Sequence, residues 1–150
     1  MSMNFYEMLT ATWEAAKAKD SEADFYECTA PNSLDYVHSV FRGADNTTLM
    51  CKAYSDGKVG PVETIDSPWM EDEVIHFPLK LTLVEATDCL YAANYSRHWK
   101  EVILRRPLGP TKWGEGYVLG DDTNNPLYIF NYHDGANIAV DTFTKEVTPL

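Results

Sequence analysis

The chain has 150 residues, a formal net charge of −11 and 45 % hydrophobic residues. That is enough for one ordinary domain or two small fused halves, and too apolar for a disordered chain. No apolar run reaches the length of a membrane span, and the N-terminus lacks the basic start and apolar core of a signal peptide. The expectation is a cytoplasmic protein, or an extracytoplasmic one whose leader is absent from this sequence.

The charge is lopsided. Residues 1–75 hold 5 Lys/Arg against 14 Asp/Glu, and residues 76–150 hold 7 against 9. Nucleic acid is disfavoured as a partner because phosphate needs neutralising positive charge. A basic protein partner fits better, and no membrane partner is expected.

In chain order, residues 4–19 read as a helix. Phe5, Met8, Leu9, Thr12 and Ala16 recur at helical spacing, and Asn4 with Glu7 makes a capping box. Strands follow at 23–29 and 36–41, separated by the turn signal Pro31-Asn32-Ser33. Residues 47–54 and 59–65 read as a hairpin about Asp56-Gly57, with Pro61 placing the second strand at an edge or a bulge. Residues 66–78 are a link, with a short strand expected at 74–77.

A second helix opens on Thr82 and Glu85, with Leu83, Ala86, Leu90 and Ala93 as its buried stripe. Strands are expected at 99–105 and 116–119. A second hairpin, residues 124–143, turns at Asp134-Gly135.

This last hairpin repeats residues 46–65 at an offset of 78. Seven of the 20 positions are identical in type, among them Tyr54/Tyr132, Asp56/Asp134 and Gly57/Gly135, where average usage gives about one by chance. The reading is a tandem duplication of an αββββ unit, with the first repeat at 1–67, a linker at 68–81 and the second repeat at 82–150. The fold class is α+β, one antiparallel sheet with two helices packed on one face and the other face open.

The cysteines, Cys28, Cys51 and Cys89, have neither metal-ligand nor redox spacing. Buried free thiols are expected, with a Cys28–Cys51 bridge open if their strands are neighbours. The histidines, His38, His76, His98 and His133, have no ligand spacing, and no nucleophile or phosphate-loop motif is present. No cofactor, metal or catalytic residue is expected. The repeated Asp56 and Asp134 are explained by turn chemistry.

The C-terminus carries a resemblance. Trp99-x-x-Val102-x-Leu104, the strand about Tyr128 to Phe130, and the final Ile138 to Val147 stretch resemble the end of a PepSY domain. There, a strand ending in Val-Asp leads into a T-G-x-V turn. Lys145 stands at the Gly of that turn. The resemblance implies a helix-plus-antiparallel-sheet module of the kind associated with protease propeptides and regulatory proteins. The paired helix-plus-four-strand units are also similar to the beta-lactamase inhibitor protein, which grips an enzyme with its joined sheet.

The function expected is therefore a non-enzymatic protein-binding module, an inhibitor or regulator, monomeric or homodimeric. Exposed loop aromatics are the favoured anchors: Trp69, Trp113, Tyr54 and Tyr132, with His133 beside the second turn. Two rival readings are a ligand-binding or enzymatic pocket lined by His76, Trp69 and His38, and a domain that self-associates through an edge strand.

Overall fold

The computed structural model describes residues 2–70, 72–107 and 125–150. Helix α1 (Phe5–Lys19) begins where the sequence places it. The Asn4 side chain accepts from the Glu7 amide at 2.8 Å, and the Glu7 carboxylate accepts from the Asn4 amide at 3.0 Å. Two otherwise unpaired N-terminal amides are thus satisfied. Helix α2 (Leu83–Ala92) repeats the device with Thr82 and Glu85. Its buried residues are Leu83, Ala86 and Leu90. Ala93 is exposed at the cap, where the helix has already ended.

The described residues form eight strands, four after each helix: β1 (Asp24–Pro31), β2 (Tyr36–Arg42), β3 (Thr48–Tyr54) and β4 (Glu63–Ile65), then β5 (Trp99–Arg105), β6 (Leu127–Tyr132), β7 (Asn137–Asp141) and β8 (Val147–Pro149). They form one antiparallel sheet in the order β4-β3-β2-β1-β5-β6-β7-β8. The halves meet through the β1–β5 pair. Both helices lie on one face, because buried residues of α1 (Phe5, Met8, Leu9) and of α2 join Phe41, Val102, Phe130 and Val140 in one core. The buried Thr12 hydroxyl meets that of Ser39 at 2.7 Å, which fixes α1 over β2.

The strand expected at 59–65 is three residues long, with only an isolated Ala53–Val59 bridge before it. Pro61 has no amide to donate, so the ladder cannot run through it. The strand expected at 74–77 does not form; Ile75 instead donates to the Phe25 carbonyl at 2.9 Å. The expected strand at 116–119 lies outside the described residues. The place it would take beside β5 is filled, since β5 and β6 pair directly from Trp99–Tyr132 to Arg105–Leu127. The 78-residue offset therefore lays β3 on β6, although β3 is the second strand out from β1 and β6 is the first out from β5. Matching sequence does not mark matching places in the sheet.

β8 has no counterpart in the sequence reading. In the turn before it, Lys145 takes φ +64° and donates its amide to the Asp141 carbonyl at 2.9 Å. That is the left-handed conformation in which Gly is relaxed and a side chain is strained. Lys145→Gly raises unfolding stability by about 0.5–1 kcal/mol, read as a higher urea midpoint. An unchanged or lower midpoint would show that the turn carries no such strain.

The cysteines are free. Cys28 and Cys51 both pair in register with Ser39, from opposite sides. Two strand spacings separate them by about 10 Å, beyond disulfide reach. The bridge left open by the sequence is thus excluded by the intervening β2. Burial pushes both thiols up in pKa, which suppresses the reactive thiolate. Native protein should release thionitrobenzoate from Ellman's reagent only slowly, at Cys89. Fast labelling of Cys28 without denaturant would contradict this packing.

Candidate functional site

Sheet parity decides which side chains can act together, because alternate residues point to opposite faces. On β3, Leu49, Cys51 and Ala53 enter the core, so Met50, Lys52 and Tyr54 face away from the helices. Register places Tyr36 opposite Tyr54 and His38 opposite Lys52. The Lys52 ammonium lies 4.5 Å from the Tyr36 ring centre and 6.0 Å from that of Tyr54. The two rings are 6.4 Å apart at 53°. Cation–π attraction holds the lysine between the rings. Beside them a 260 Å³ pocket is lined by His38, Met50, Lys52, Tyr54, Pro61 and Glu63, with Glu63 reaching it from β4.

His38 is half-buried in this cluster. Burial is the larger cause and Lys52 the next in holding its pKa below the ordinary imidazole value, while Glu63 pulls it up. The unfolded chain therefore takes the proton first as pH falls. The contribution of His38 to stability is present above its unfolded pKa and is lost as pH falls through the lowered folded value. The fall in urea midpoint between about pH 7 and about pH 5 should be smaller in His38→Gln than in the parent protein. Equal falls would mean that His38 is not the group responsible.

Tyr132 does not match Tyr54. On β6, Tyr128 and Phe130 enter the core, so Tyr132 lies on the helix side, where its hydroxyl donates to the Ser96 carbonyl at 2.7 Å. The two turns themselves are alike. Gly57 and Gly135 take φ +97° and +91°, and Asp56 and Asp134 accept from the amides of Lys58 and Ala136. Both aspartates are turn residues, as expected. The turns sit at one end of the sheet, five strand spacings apart, or about 24 Å. His133 is exposed at the second turn.

Trp69 lies at the other end, half-buried, and its indole donates to Asp72 at 2.9 Å. The buried Asp72 also accepts from Arg105 Nε at 2.7 Å. Trp69 is therefore part of a latch that holds the linker to β5, not a free anchor. Trp113 lies outside the described residues. The rival trio of His76, Trp69 and His38 does not converge. His38 belongs to the β2–β3 pocket, while His76 lines pockets at the linker end. Asp141 accepts from the Phe143 and Thr144 amides and organises the turn after β7.

The face opposite the helices is not uniform. Leu127, Ile129 and Ala139 form a second small buried cluster at its β6–β7 part. The exposed part is the β2–β4 side, with Tyr54, Glu63 and Ile65. Lys52, Tyr36 and Met50 were missed from sequence. The signal was the spacing Tyr36-x-His38 against Lys52-x-Tyr54, legible only once the register is known. Among the described residues no group of His, Cys, Asp and Glu is placed to hold a metal ion, and no helix is long and apolar enough to cross a membrane.

No protein-family model and no curated protein matches the sequence. Among solved structures, the crystal structure of a "putative lipoprotein" from Clostridium difficile 630 is similar, with a TM-score of 0.57 at 17 % identity, covering 93 % of this chain and 88 % of that one. At that identity the likeness concerns fold alone. The class defined here is an α+β protein built on one antiparallel sheet, which among the described residues has eight strands and carries two helices.

Proposed function

We propose that this protein is a non-enzymatic protein-binding module that holds a basic partner against the β2–β4 part of its helix-free face, as an inhibitor or regulator. The observation that carries this reading is the Tyr36–Lys52–Tyr54 cluster beside the His38 pocket. It offers two aromatic rings and a cation on rigid strands, the chemistry favoured in binding hot spots. The net charge of −11 would speed encounter with a basic protein. The resemblances to PepSY ends and to the beta-lactamase inhibitor protein point the same way. Steric occlusion by the bound module would be the mechanism. The free thiols fit a reducing compartment, and the neighbour's designation as a lipoprotein fits an extracytoplasmic one; fractionation of tagged protein distinguishes them.

The test is affinity capture from the source lysate with parent bait and with a Tyr36→Ala/Tyr54→Ala bait. The captured protein is then purified and cross-linked to the parent module. A basic partner lost with the variant, cross-linked to β2 and β3 and weakened by salt supports the reading. A partner retained by the folded variant, or cross-links confined to the helices, defeats it. A solution mass of twice 17.0 kDa, with cross-links along β4 or β8, would favour self-association instead.

A further inference from the structure

The linker passes round the end of the sheet. Asp72 is tied to Arg105 on the face away from the helices, and Phe77 then packs on the helix side, its ring centre 5.2 Å from Phe25 and 5.4 Å from Trp13. Between this linker and the ends of β5, β6 and β7 lies a pocket of 520 Å³, within the usual range for small-molecule sites. Its apolar wall includes Phe77, Leu79, Pro126 and Phe143. Among the described residues that line it, the charged groups are Lys80 and Arg106, with His76 beside them, and none is a carboxylate. Among the described residues, a second pocket carries Asp72 and Glu73 beside Arg42 and Arg106, a third carries Glu63 beside Lys52, and a fourth has no charged group.

A cationic pocket is unexpected in a chain of net charge −11. It is also built to hold its shape. Thr142 donates to the Pro126 carbonyl from its hydroxyl at 2.6 Å and its amide at 3.1 Å, and Asn125 donates to both Asp141 oxygens at 3.1 Å. Arg106 is engaged with Glu73 and the Val74 carbonyl, each at 3.4 Å. Lys80 is exposed and makes no ion pair among the described residues. Its ammonium is the available handle for an anion, and the aromatic and aliphatic wall is the place for an apolar body.

We infer that this pocket binds a small amphiphilic carboxylate, its head at Lys80 and its chain or ring against Phe77 and Phe143. The inference is independent of the docking face, which lies on the other part of the sheet. The probe is octanoate, with octanol as the neutral partner of equal length, followed by amide chemical shifts. Octanoate should bind with a dissociation constant below about one millimolar and shift the amides of residues 74–80 and 142–143. Octanol should bind at least about tenfold more weakly, and Lys80→Glu should weaken octanoate by about the same factor. Phe143→Ala, at a side chain 57 % exposed, should weaken both probes and leave the fold intact.

Four results would overturn the inference. The first is equal affinity for octanol and octanoate. The second is octanoate binding untouched by Lys80→Glu. The third is shifts centred on the apolar groove between the helix N-termini at Tyr6, Leu83 and Val84 instead of the linker. Absence of any saturable shift at millimolar octanoate would also overturn it.

Discussion

Tyr128→Ala should lower the melting temperature by about 12 °C, corresponding to a loss of about 4 kcal/mol for a chain of this size. Tyr128 is fully buried near the start of β6 and links the sheet to the N-terminal ends of both helices. Its ring lies 6.3 Å from that of Phe5 at the start of α1. Its hydroxyl donates to the Leu81 carbonyl at 2.8 Å, just before α2. Burial, not a nearby charge, is the main cause that raises its pKa far above that of free tyrosine, so it stays a neutral donor. Truncation removes the aromatic volume and leaves a cavity that sheet and helices cannot both close. Tyr128→Phe separates the two contributions, since it keeps the ring and should cost about 1–2 kcal/mol for the unsatisfied carbonyl. If the two variants unfold at the same temperature, the ring is not the keystone described here.

Asp72→Ala should cost about 3 kcal/mol, or about 9 °C in melting temperature. The Asp72 side chain is fully enclosed, while Arg105 remains 27 % exposed. Removing the carboxylate leaves the Trp69 indole and the Arg105 guanidinium without their shared acceptor. The exposure of Arg105 lets water take up part of its charge, which holds the loss at the low end of the buried-pair range. High salt should not reproduce the effect, because a buried pair is poorly screened. Asp72→Asn keeps an acceptor for the indole and should fall between parent and Ala. The variant also tests function, since the linker forms a wall of the pocket at Lys80. A loss below about 1 kcal/mol would place this pair among ordinary surface ion pairs and remove the latch.

Local elements were largely legible in the residues. The capping boxes at Asn4 and Thr82, the span 99–105 of β5 and both Asp-Gly turns depend on neighbours within a few positions, and the structure keeps each of them. The α+β class and the single antiparallel sheet follow from the same local pattern. Misses occurred where a distant contact or a backbone constraint settled the matter. The strand expected at 59–65 shrinks because Pro61 cannot donate. The 74–77 segment wraps the sheet end because Phe77 finds Phe25 and Trp13.

The candidate site shows the same division. Tyr54 and Tyr132 occupy identical places beside identical turns, and sequence treats them as equivalent. Parity sets them on opposite faces, with Tyr54 beside Tyr36 and Lys52 and Tyr132 against Ser96. A strand offers either face to the core, and its choice rests on the whole set of alternate residues and on register with its neighbours. For β2 and β3 that register depends on the 43–47 turn, where Asp45 and Asn46 take φ +56° and +60°, a geometry that the residue types permit without dictating.

By itself, then, the sequence determined the caps, the turns, the helix stripes and the alternation of most strands, because those properties arise from interactions between near neighbours. Only the tertiary structure decided the order of strands, the separation of Cys28 from Cys51 by β2, the use of Trp69 and Asp72 as a latch, and the gathering of Lys80, Arg106 and His76 at one pocket. Each of these joins residues far apart in the chain. Which of many such pairs forms is settled by the burial of one shared core, not by any segment of the chain alone.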